Sequence, residues 1–590
     1  TARPPLRAEP LAASAGEVYF PARLSSMHGA HLKLAAQFLH AGTWYRPAYY
    51  PQPGEDRITC IEREAINVRR NVGMIDLSTL GGIDIRGPAA SELLNRLYTG
   101  GFKGLAIGKS KYALMCNESG VVIDDGVAAR LAETHFYVTA TTTGVENVYR
   151  QMLKWNVQWQ LDVDITNVTS AYCVVNLAGP KSKEVLARLT ATDLDEAAFP
   201  YLGVREGEVA GIPARILRVG FVGELGYEIH VPQTFGRHLW DALAAVGATF
   251  DIAPFGVEAQ RLLRLEKGHI IIGQDTDAMT HLRELEMSWA VSRKKPFFIG
   301  DRTTAEIDSS RMTRRLAGFT VESTNRVDVP QESHLVLEGG RMVGRVTSAA
   351  YSPTLDKIIG LAYVPATSTE GDTITIRVDR GRGLQATLCE LPFYDPQTER
   401  QRVPQISVEV IEESLPERIS LISASDGDPE SGVVIVDRTL SDRCGIRGRT
   451  AASWLESASM LVPDKPNWAL VQKDGTLLAR LSVGEFLLLG ASNYLGCLPE
   501  SADSNYSLPR GDSHAWMVVS GVHSRELLQA ICSIDLRARS FSDGDVAQTL
   551  MFGVSVILIQ AEGIFHLCAD ITSSQYLYDA LEGAIDSMGI

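Results

Sequence analysis

One stretch of this chain occurs twice, and the duplication constrains the fold more than any other feature. Glu224 to Leu243 (ELGYEIHVPQTFGRHLWDAL) and Glu562 to Leu581 (EGIFHLCADITSSQYLYDAL) align without a gap at an offset of 338. Glu224 meets Glu562, Tyr227 meets Phe565, and Leu239-Trp240-Asp241-Ala242-Leu243 meets Leu577-Tyr578-Asp579-Ala580-Leu581. Upstream, Ile85-Arg86-Gly87 answers Ile446-Arg447-Gly448, and Tyr112-Ala113-Leu114 answers Trp468-Ala469-Leu470 at an offset of 356. The repeat therefore spans a whole domain. The offset then falls to 350 at Arg130-Leu131 and Arg480-Leu481, which leaves the second copy six residues short across GVVIDD, the segment ending in Asp124-Asp125. Glu228 of the first copy aligns with His566 of the second. A copy kept only for packing has no need of those carboxylates, so the first copy reads as a site and the second as its degenerate form.

At 590 residues the chain has room for three or four domains. Hydrophobic residues at 45% and charged residues at 22% are ordinary for a globular protein, and no apolar stretch approaches the roughly 20 residues of a membrane helix. A net charge of −15 argues against nucleic acid or an anionic membrane as a partner. The eight cysteines are scattered without a C-x-x-C pair, which indicates neither a zinc site nor a disulfide framework and fits the cytoplasm. The opening TARPPLRAEPLAASAGE lacks the apolar core of a signal peptide and reads as a linker.

Residues 1–50 are expected to form an extended arm ending in the aromatic cluster TWYRPAYYP. In 51–310, helical patterns (SELLNRLY, VENVYRQMLKW) alternate with strand patterns (HFYVTATT, YCVVNLAG), which predicts a mixed α+β domain with antiparallel pieces. Short strands and turns in 311–400 predict a small β-barrel. A charged linker over 401–418, carrying Pro404 and Pro416, leads to the second copy in 419–590. Two phosphate-like motifs fail. GLAIGKS has three residues between its glycines where a P-loop needs four, and GRGLQA lies between two strand patterns with no helix to receive a pyrophosphate. Both read as turns, and no flavin or nicotinamide fingerprint is present.

Three groups of residues are candidates for chemistry. Asp124-Asp125-Gly126 follows Val121-Val122-Ile123, so a buried strand is expected to end in two adjacent acids at a turn, one with a raised pKa; turn formation alone also explains the pattern. Glu228 alternates with Tyr227 and Ile229; if those two face the core, Glu228 faces solvent or a pocket, where a carboxylate accepts two parallel N–H donors at once. Arg261, Arg264 and Lys267 share a helix face, as an anion clamp or as a solvated basic surface.

VVIDDG, GFVGELGYEI, RLLRLEKG followed by IIIGQDTD, PFFIG, and SAAYSPTLDKIIGLAYVP together resemble the tetrahydrofolate-binding aminomethyltransferase fold of the glycine-cleavage T-protein. Within that fold, APFGVEAQRLLRLEKGHIIIGQDTD and the arm resemble the C-terminal half of the α subunit of heterotetrameric sarcosine oxidase and its N-methylglutamate dehydrogenase relatives. Residues 419–590, with SIDLRARSFSDGDVAQTL, resemble the γ subunit of the same enzymes. The resemblance implies an α+β T-protein-like domain, a small C-terminal β-barrel and a degenerate second copy of the α+β domain. It implies tetrahydrofolate as cofactor, with Asp124 as the catalytic group near N10, Glu228 on the pterin edge and Arg264 beside the pterin, and with Asp125, Phe221 and Tyr227 among the binding residues. Phe221 stands where T-proteins carry a Tyr, and Glu258 where they carry an Arg. The implied partners are a flavin-containing (FAD or FMN) β-type subunit, a small δ-type subunit and a nucleotide-binding α N-terminal half. The implied activity is transfer of a one-carbon unit from an oxidised N-methyl amine to tetrahydrofolate. A stand-alone aminomethyltransferase and a non-catalytic scaffold are the alternatives.

Overall fold

Strands form where apolar side chains alternate, as in GYEIHVP, or run on, as in YCVVNLA and VGMID, and each sheet of the first copy buries its outer face under helices. The computed structural model describes residues 21–307, 312–406, 408–423, 432–490 and 505–589. The first sheet runs, edge to edge, Val204–Val209, Ile212–Leu217, Gly226–Pro232, Tyr172–Ala178, Val72–Asp76 and Ile252–Pro254, with only the last pair parallel. Helices Ser182–Leu186 and Gly236–Gly247 cover its outer face, the latter bringing Leu239 and Trp240 into the core with Tyr227 and Ile229. The second sheet runs Lys109–Cys116, Val122–Ala132, His135–Ala140, Gly81–Arg86 and Asp164–Asn167, with Ala90–Leu97 and Val145–Trp159 packed over Ile83, Phe136 and Val138. The uncovered faces of the two sheets look at one another.

The second copy repeats this plan except for the parallel edge strand Ile252–Pro254, which has no counterpart among the described residues. Val546–Met551, Val554–Ala561, Ile564–Asp570, His514–Ser520 and Val434–Asp437 form one sheet, and Trp468–Val471, Leu477–Arg480, Glu485–Leu489, Arg443–Gly448 and Asn505–Leu508 form the other. Pairing also corrects the repeat register. Arg130 pairs with Phe136, its guanidinium 5.4 Å from that ring, and Arg480 pairs with Phe486 at 5.3 Å, so these arginines correspond. Arg130 also pairs with Lys109 and Arg480 with Trp468, which makes Lys109, not Tyr112, the counterpart of Trp468. The hairpin tip then spans 113–126 in the first copy and 472–476 in the second, a difference of nine residues rather than six. Asp124 and Asp125 lie in the excess.

Six strands, Arg314–Val321, Lys357–Pro365, Arg341–Ser352, Leu335–Glu338, Thr373–Arg377 and Gly383–Cys389, close the expected barrel. GRGLQA lies in its last hairpin, between two strands and without a helix to follow. The expected extended arm is instead folded from residue 21 onward, as helix His28–Lys33 and a hairpin of Gln37–Ala41 with Trp44–Tyr49; residues 1–20 lie outside the described residues. The segment folds because it has something to bury. His31 sits edge-on to Trp240 at 4.8 Å, with Nε2 3.0 Å from Asp76 and Nδ1 3.0 Å from the Tyr50 hydroxyl. Among the described residues no helix is long and apolar enough to cross a membrane.

One buried ionic cluster joins these parts. Arg69, at the end of helix Arg57–Arg70, donates to Glu224 at 3.0 Å and to Glu266 at 2.7 Å, and both carboxylate side chains are wholly buried. Glu224 also accepts from Tyr394 and Arg400, and Glu266 accepts from Ser352 of the barrel. Removing one member of such a cluster leaves a buried charge without its counter-ion, which typically costs about 3–5 kcal/mol. Arg69→Met is therefore expected to lower the midpoint of urea denaturation strongly. Arg400→Met, whose side chain is 36% exposed, should lower it much less. Equal effects would contradict this ranking.

Candidate functional site

Register settles which side chains enter the space between the first copy's sheets. Val204, Leu217, Glu228, Asn176 and Ile75 are successive partners across the first sheet and share one face. Val204 and Leu217 pack on Ala129 and Val127 of the second sheet, so Glu228 and Asn176 beside them face inward too. Tyr227 points the other way, fully buried in the helix-covered core near Phe199, where a ligand between the sheets does not reach it. The expected alternation holds, while the expected cofactor contact of Tyr227 does not follow from it.

Glu228 is mostly buried, with 13% of its side chain exposed, and its Oε2 lies 3.8 Å from His230 Nε2, beyond hydrogen-bond length. His230 is buried, and desolvation pulls its pKa down, against the pull of Glu228. Among the described residues, His230 Nε2 and Arg215 Nη1 have no hydrogen-bond partner. The Arg215 guanidinium lies 4.7 Å from the Tyr137 ring and 5.3 Å from that of Tyr172. Buried polar atoms of this kind are ready to receive a polar ligand or water. His230 was legible in the sequence, since in GYEIH it shares strand parity with Glu228; Arg215 and Asn176 become visible only once the strands are paired.

The two acids do not end a strand. Val122–Ala132 runs through Asp-Asp-Gly, and Gly126 is needed because a Cβ there would lie 2.0 Å from Thr139 O. Ladder pairing with His135–Ala140 begins only at Ala128. In the gap Asp124 reaches across: Oδ1 accepts from Thr141 N at 3.0 Å and Asp125 N at 2.7 Å, and Oδ2 accepts from Thr141 Oγ1 at 2.9 Å. A Cβ on Gly144, at the start of helix Val145–Trp159, would stand 1.6 Å from Oδ2. Thr142 in the same loop hydrogen-bonds Thr79 at 3.0 Å, just beyond strand Val72–Asp76, which lies two strands from Glu228. By pairing, Asp124 shares the side of Met115 and Ala113, in the helix-covered core, whereas Asp125 shares the side of Leu114, Val127 and Ala129, the face that meets the sheet of Glu228. Asp125 projects to the opposite side of its strand from Asp124, is half-buried, and accepts from the Tyr112 hydroxyl at 2.7 Å. Burial raises both acids, and Asp125 is pushed up to about 7.

Arg264 is a strut. It is 1% exposed and donates to His269 O, to Asp275 at 2.5 Å and to Ser348 of the barrel at 2.6 Å. Arg261 pairs with Glu258 and Lys267 with Asp395, so the three cations do not form the single basic face expected of them. Phe221 is 36% exposed and stacks on His269 at 5.6 Å, and its carbonyl accepts from His269 Nδ1. Leu265, Ile270 and Ile272 pack with Leu114, Cys116 and Val122, bringing the end of helix Val257–Glu266 and the loop after it against the strand hairpin of the two acids.

In the second copy the same inter-sheet space is filled. Ala469, Ala479 and Leu487 of one sheet pack against Trp516, Ile557, Ile559 and Cys568 of the other. His566, in the place of Glu228, accepts from Trp516 Nε1 at 3.2 Å, and burial lowers its pKa to about 4.

This architecture, two inward-facing sheets beside a six-stranded barrel, defines a class. The GCVT N-terminal domain matches residues 27–295, and the glycine cleavage T-protein C-terminal barrel domain matches residues 314–395. An aminomethyltransferase of Thermotoga petrophila is 30% identical over 371 residues, covering 63% of this chain and 97% of that protein. The chain belongs to the glycine cleavage T-protein (aminomethyltransferase) family. Sarcosine oxidase subunit alpha of Corynebacterium sp. (strain P-1) is 38% identical over 398 residues, covering 65% of this chain, and that of Rhizobium meliloti (strain 1021) is 34% identical over 403 residues, covering 66%. The match spans 41% of each of those subunits. The crystal structure of glycine cleavage system aminomethyltransferase T from Bartonella henselae superposes with a TM-score of 0.57 at 25% identity, covering 64% of this chain and 99% of that one.

The raised pKa of Asp125 makes a stability prediction with a definite sign. An acid whose pKa is higher in the folded chain than in the unfolded one stabilises the fold while protonated, and that contribution is lost as pH rises towards 7 and beyond. The difference in melting temperature between wild type and Asp125→Asn is expected to move in favour of the variant between about pH 5 and pH 8, by calorimetry. A difference independent of pH would place the Asp125 pKa in the ordinary range.

Proposed function

We propose that the first copy binds tetrahydrofolate between its sheets and passes to it a one-carbon unit derived from an N-methyl amine. What carries the reading is Glu228, which faces the inter-sheet space of the first copy beside unsatisfied polar atoms and opposite the strand of Asp124 and Asp125, while the second copy has lost these acids and fills the space with apolar side chains. Glu228, with no strong donor against it, suits the parallel N–H groups of an amino-pyrimidinone edge, and the unsatisfied His230 and Arg215 atoms beside it suit a polar heterocycle. The residues present therefore fit the group.

When bound, tetrahydrofolate supplies the nucleophilic nitrogen that accepts the one-carbon unit. Glu228 holds and orients the heterocycle. The Asp124-Asp125 pair is our proposal for the proton acceptor, with Asp124 as the first candidate: Thr141 fixes the direction of Asp124, and burial raises the proton affinity of both acids. Asp125, tied to Tyr112, is the member of the pair on the inter-sheet face. Holding acceptor and electrophile together at high effective concentration favours capture over escape as formaldehyde. In this reading a β-type flavin subunit oxidises the N-methyl amine, with a δ-type subunit and a nucleotide-binding α N-terminal half completing the complex. A stand-alone aminomethyltransferase is the second reading, favoured by the 97% coverage of the Thermotoga enzyme, and it requires turnover without a flavin partner.

Titrating folinic acid separates the two copies. Glu228→Ala is expected to weaken binding by tenfold or more, the usual effect of losing a charge-assisted hydrogen bond, and His566→Ala to leave it unchanged. Equal losses would refute the assignment. In the assembled complex, Asp124→Asn is expected to leave amine consumption nearly intact, to slow transfer by about 10²- to 10⁴-fold and to shift product from methylene-tetrahydrofolate towards formaldehyde. A larger shift with Asp125→Asn would move the role to that residue.

A further inference from the structure

The two copies touch through equivalent parts. Arg23, just ahead of the first copy, donates from Nε to Thr572 of the second copy at 2.9 Å and from Nη2 to Ser170 at 2.7 Å. Arg418, just ahead of the second copy, donates from Nε to Thr234 of the first copy at 3.0 Å and from Nη2 to Asp512 at 2.5 Å. Thr234 and Thr572 are the same position of the repeat, at the offset of 338. Ser170 and Asp512 also correspond, because Tyr172 pairs with Pro232 where His514 pairs with Asp570. The following backbone amides repeat the contact, with Leu24 N donating to Thr572 O at 2.8 Å and Ile419 N to Thr234 O at 3.1 Å. One residue on, Ser25 donates to Asp76 at 2.5 Å and Ser420 to Asp437 at 2.6 Å.

A second pair of arginines completes the reciprocity. Arg86 of the first copy lies 5.5 Å from the ring of Tyr506, on the edge strand of the second copy. Arg447, its counterpart, donates to Thr166 on the edge strand of the first copy at 2.9 Å. Contacts in which residue i of one body meets j of the other, and j of the first meets i of the second, are the signature of an isologous two-fold interface. The ion pair of Arg23 with Asp570 has no mate, because Pro232 stands at the equivalent position.

We infer that the face of the first copy carrying Arg23, Arg86, Ser170 and Thr234 is a self-complementary docking surface whose occupant is the second copy, so that this chain is a two-fold dimer of like domains joined by a dispensable tether. The repeat accordingly begins at Arg23-Leu24-Ser25 and Arg418-Ile419-Ser420, earlier than sequence comparison alone reveals.

The test inserts a site for a sequence-specific protease after Glu412, in the exposed stretch 409–415, and cleaves the folded full-length chain. The halves are expected to remain one particle by analytical ultracentrifugation on dilution. Arg23→Ala and Arg418→Ala should each raise the dissociation constant of the cleaved halves about tenfold or more, by comparable factors, and the double variant should separate them. Arg23→Lys and Arg418→Lys should fail alike, because an ammonium lacks the guanidinium fork that reaches two acceptors. Circular dichroism and the melting transitions of each half show whether a variant remains folded, and only folded variants are compared. Halves that part with both arginines intact, or an effect confined to one arginine, would overturn the inference.

Discussion

The arrangement of the first copy depends on a charge-balanced cluster whose centre, Arg69 with Glu224 and Glu266, is shut off from water. Arg69 and Arg400 face Glu224 and Glu266, and through them helix Arg57–Arg70, the loop leading into the Glu228 strand, helix Val257–Glu266 and the barrel converge on one point. Burying the three inner charges yields little net stability when every partner is present, because desolvation offsets attraction. What the cluster supplies is alignment. Glu224 lies four residues before Glu228, so an error in docking the barrel is transmitted to the strand that carries the inward-facing carboxylate. Arg264 with Asp275 repeats the device on the other side of the same helix, again ending on the barrel.

Much of this plan was legible in the residues. The duplication was, because helix and strand periodicities survive drift, and the structure returns the same strand order in both copies apart from the edge strand Ile252–Pro254 of the first. So were the barrel and the opposed directions of Tyr227 and Glu228, which follow from a period of two. Asp-Asp-Gly was misread as a turn because Gly126 serves a contact with Thr139 that is remote in sequence and leaves no local signal. The arm was misread because its helix is only six residues long and stands on tertiary contacts of His31. Arg264 looks like a free cation in the chain, and its side-chain acceptors, Asp275 in the loop that follows and Ser348 of the barrel, are brought to it only by the fold. The matched arginines ahead of each copy went unseen because three residues at a new offset carry no statistical weight until their bonds are drawn.

The inner faces of the two copies show how one scaffold supports opposite outcomes. Where apolar side chains fill the gap, as with Trp516, Ile557 and Ile559, the sheets are cemented and a histidine is held neutral. Where Glu228, Asn176, His230 and Arg215 take their places, the sheets touch through Ala129 and Val127 with Leu217 and Val204, and through the Tyr137 ring against Tyr172, His230 and Arg215, and polar atoms remain unsatisfied. Such atoms cost stability in the free protein, so the first copy is the less self-sufficient of the two.

The covalent tether between the copies has an evolutionary consequence. In a homodimer one gene writes both halves, so every substitution appears twice and a mutation that fills one pocket fills the other. Written in a single reading frame, the halves mutate independently while their shared interface keeps them in place. One could then shed nine residues of hairpin and its acids, gaining a dry interior, without its sibling losing anything.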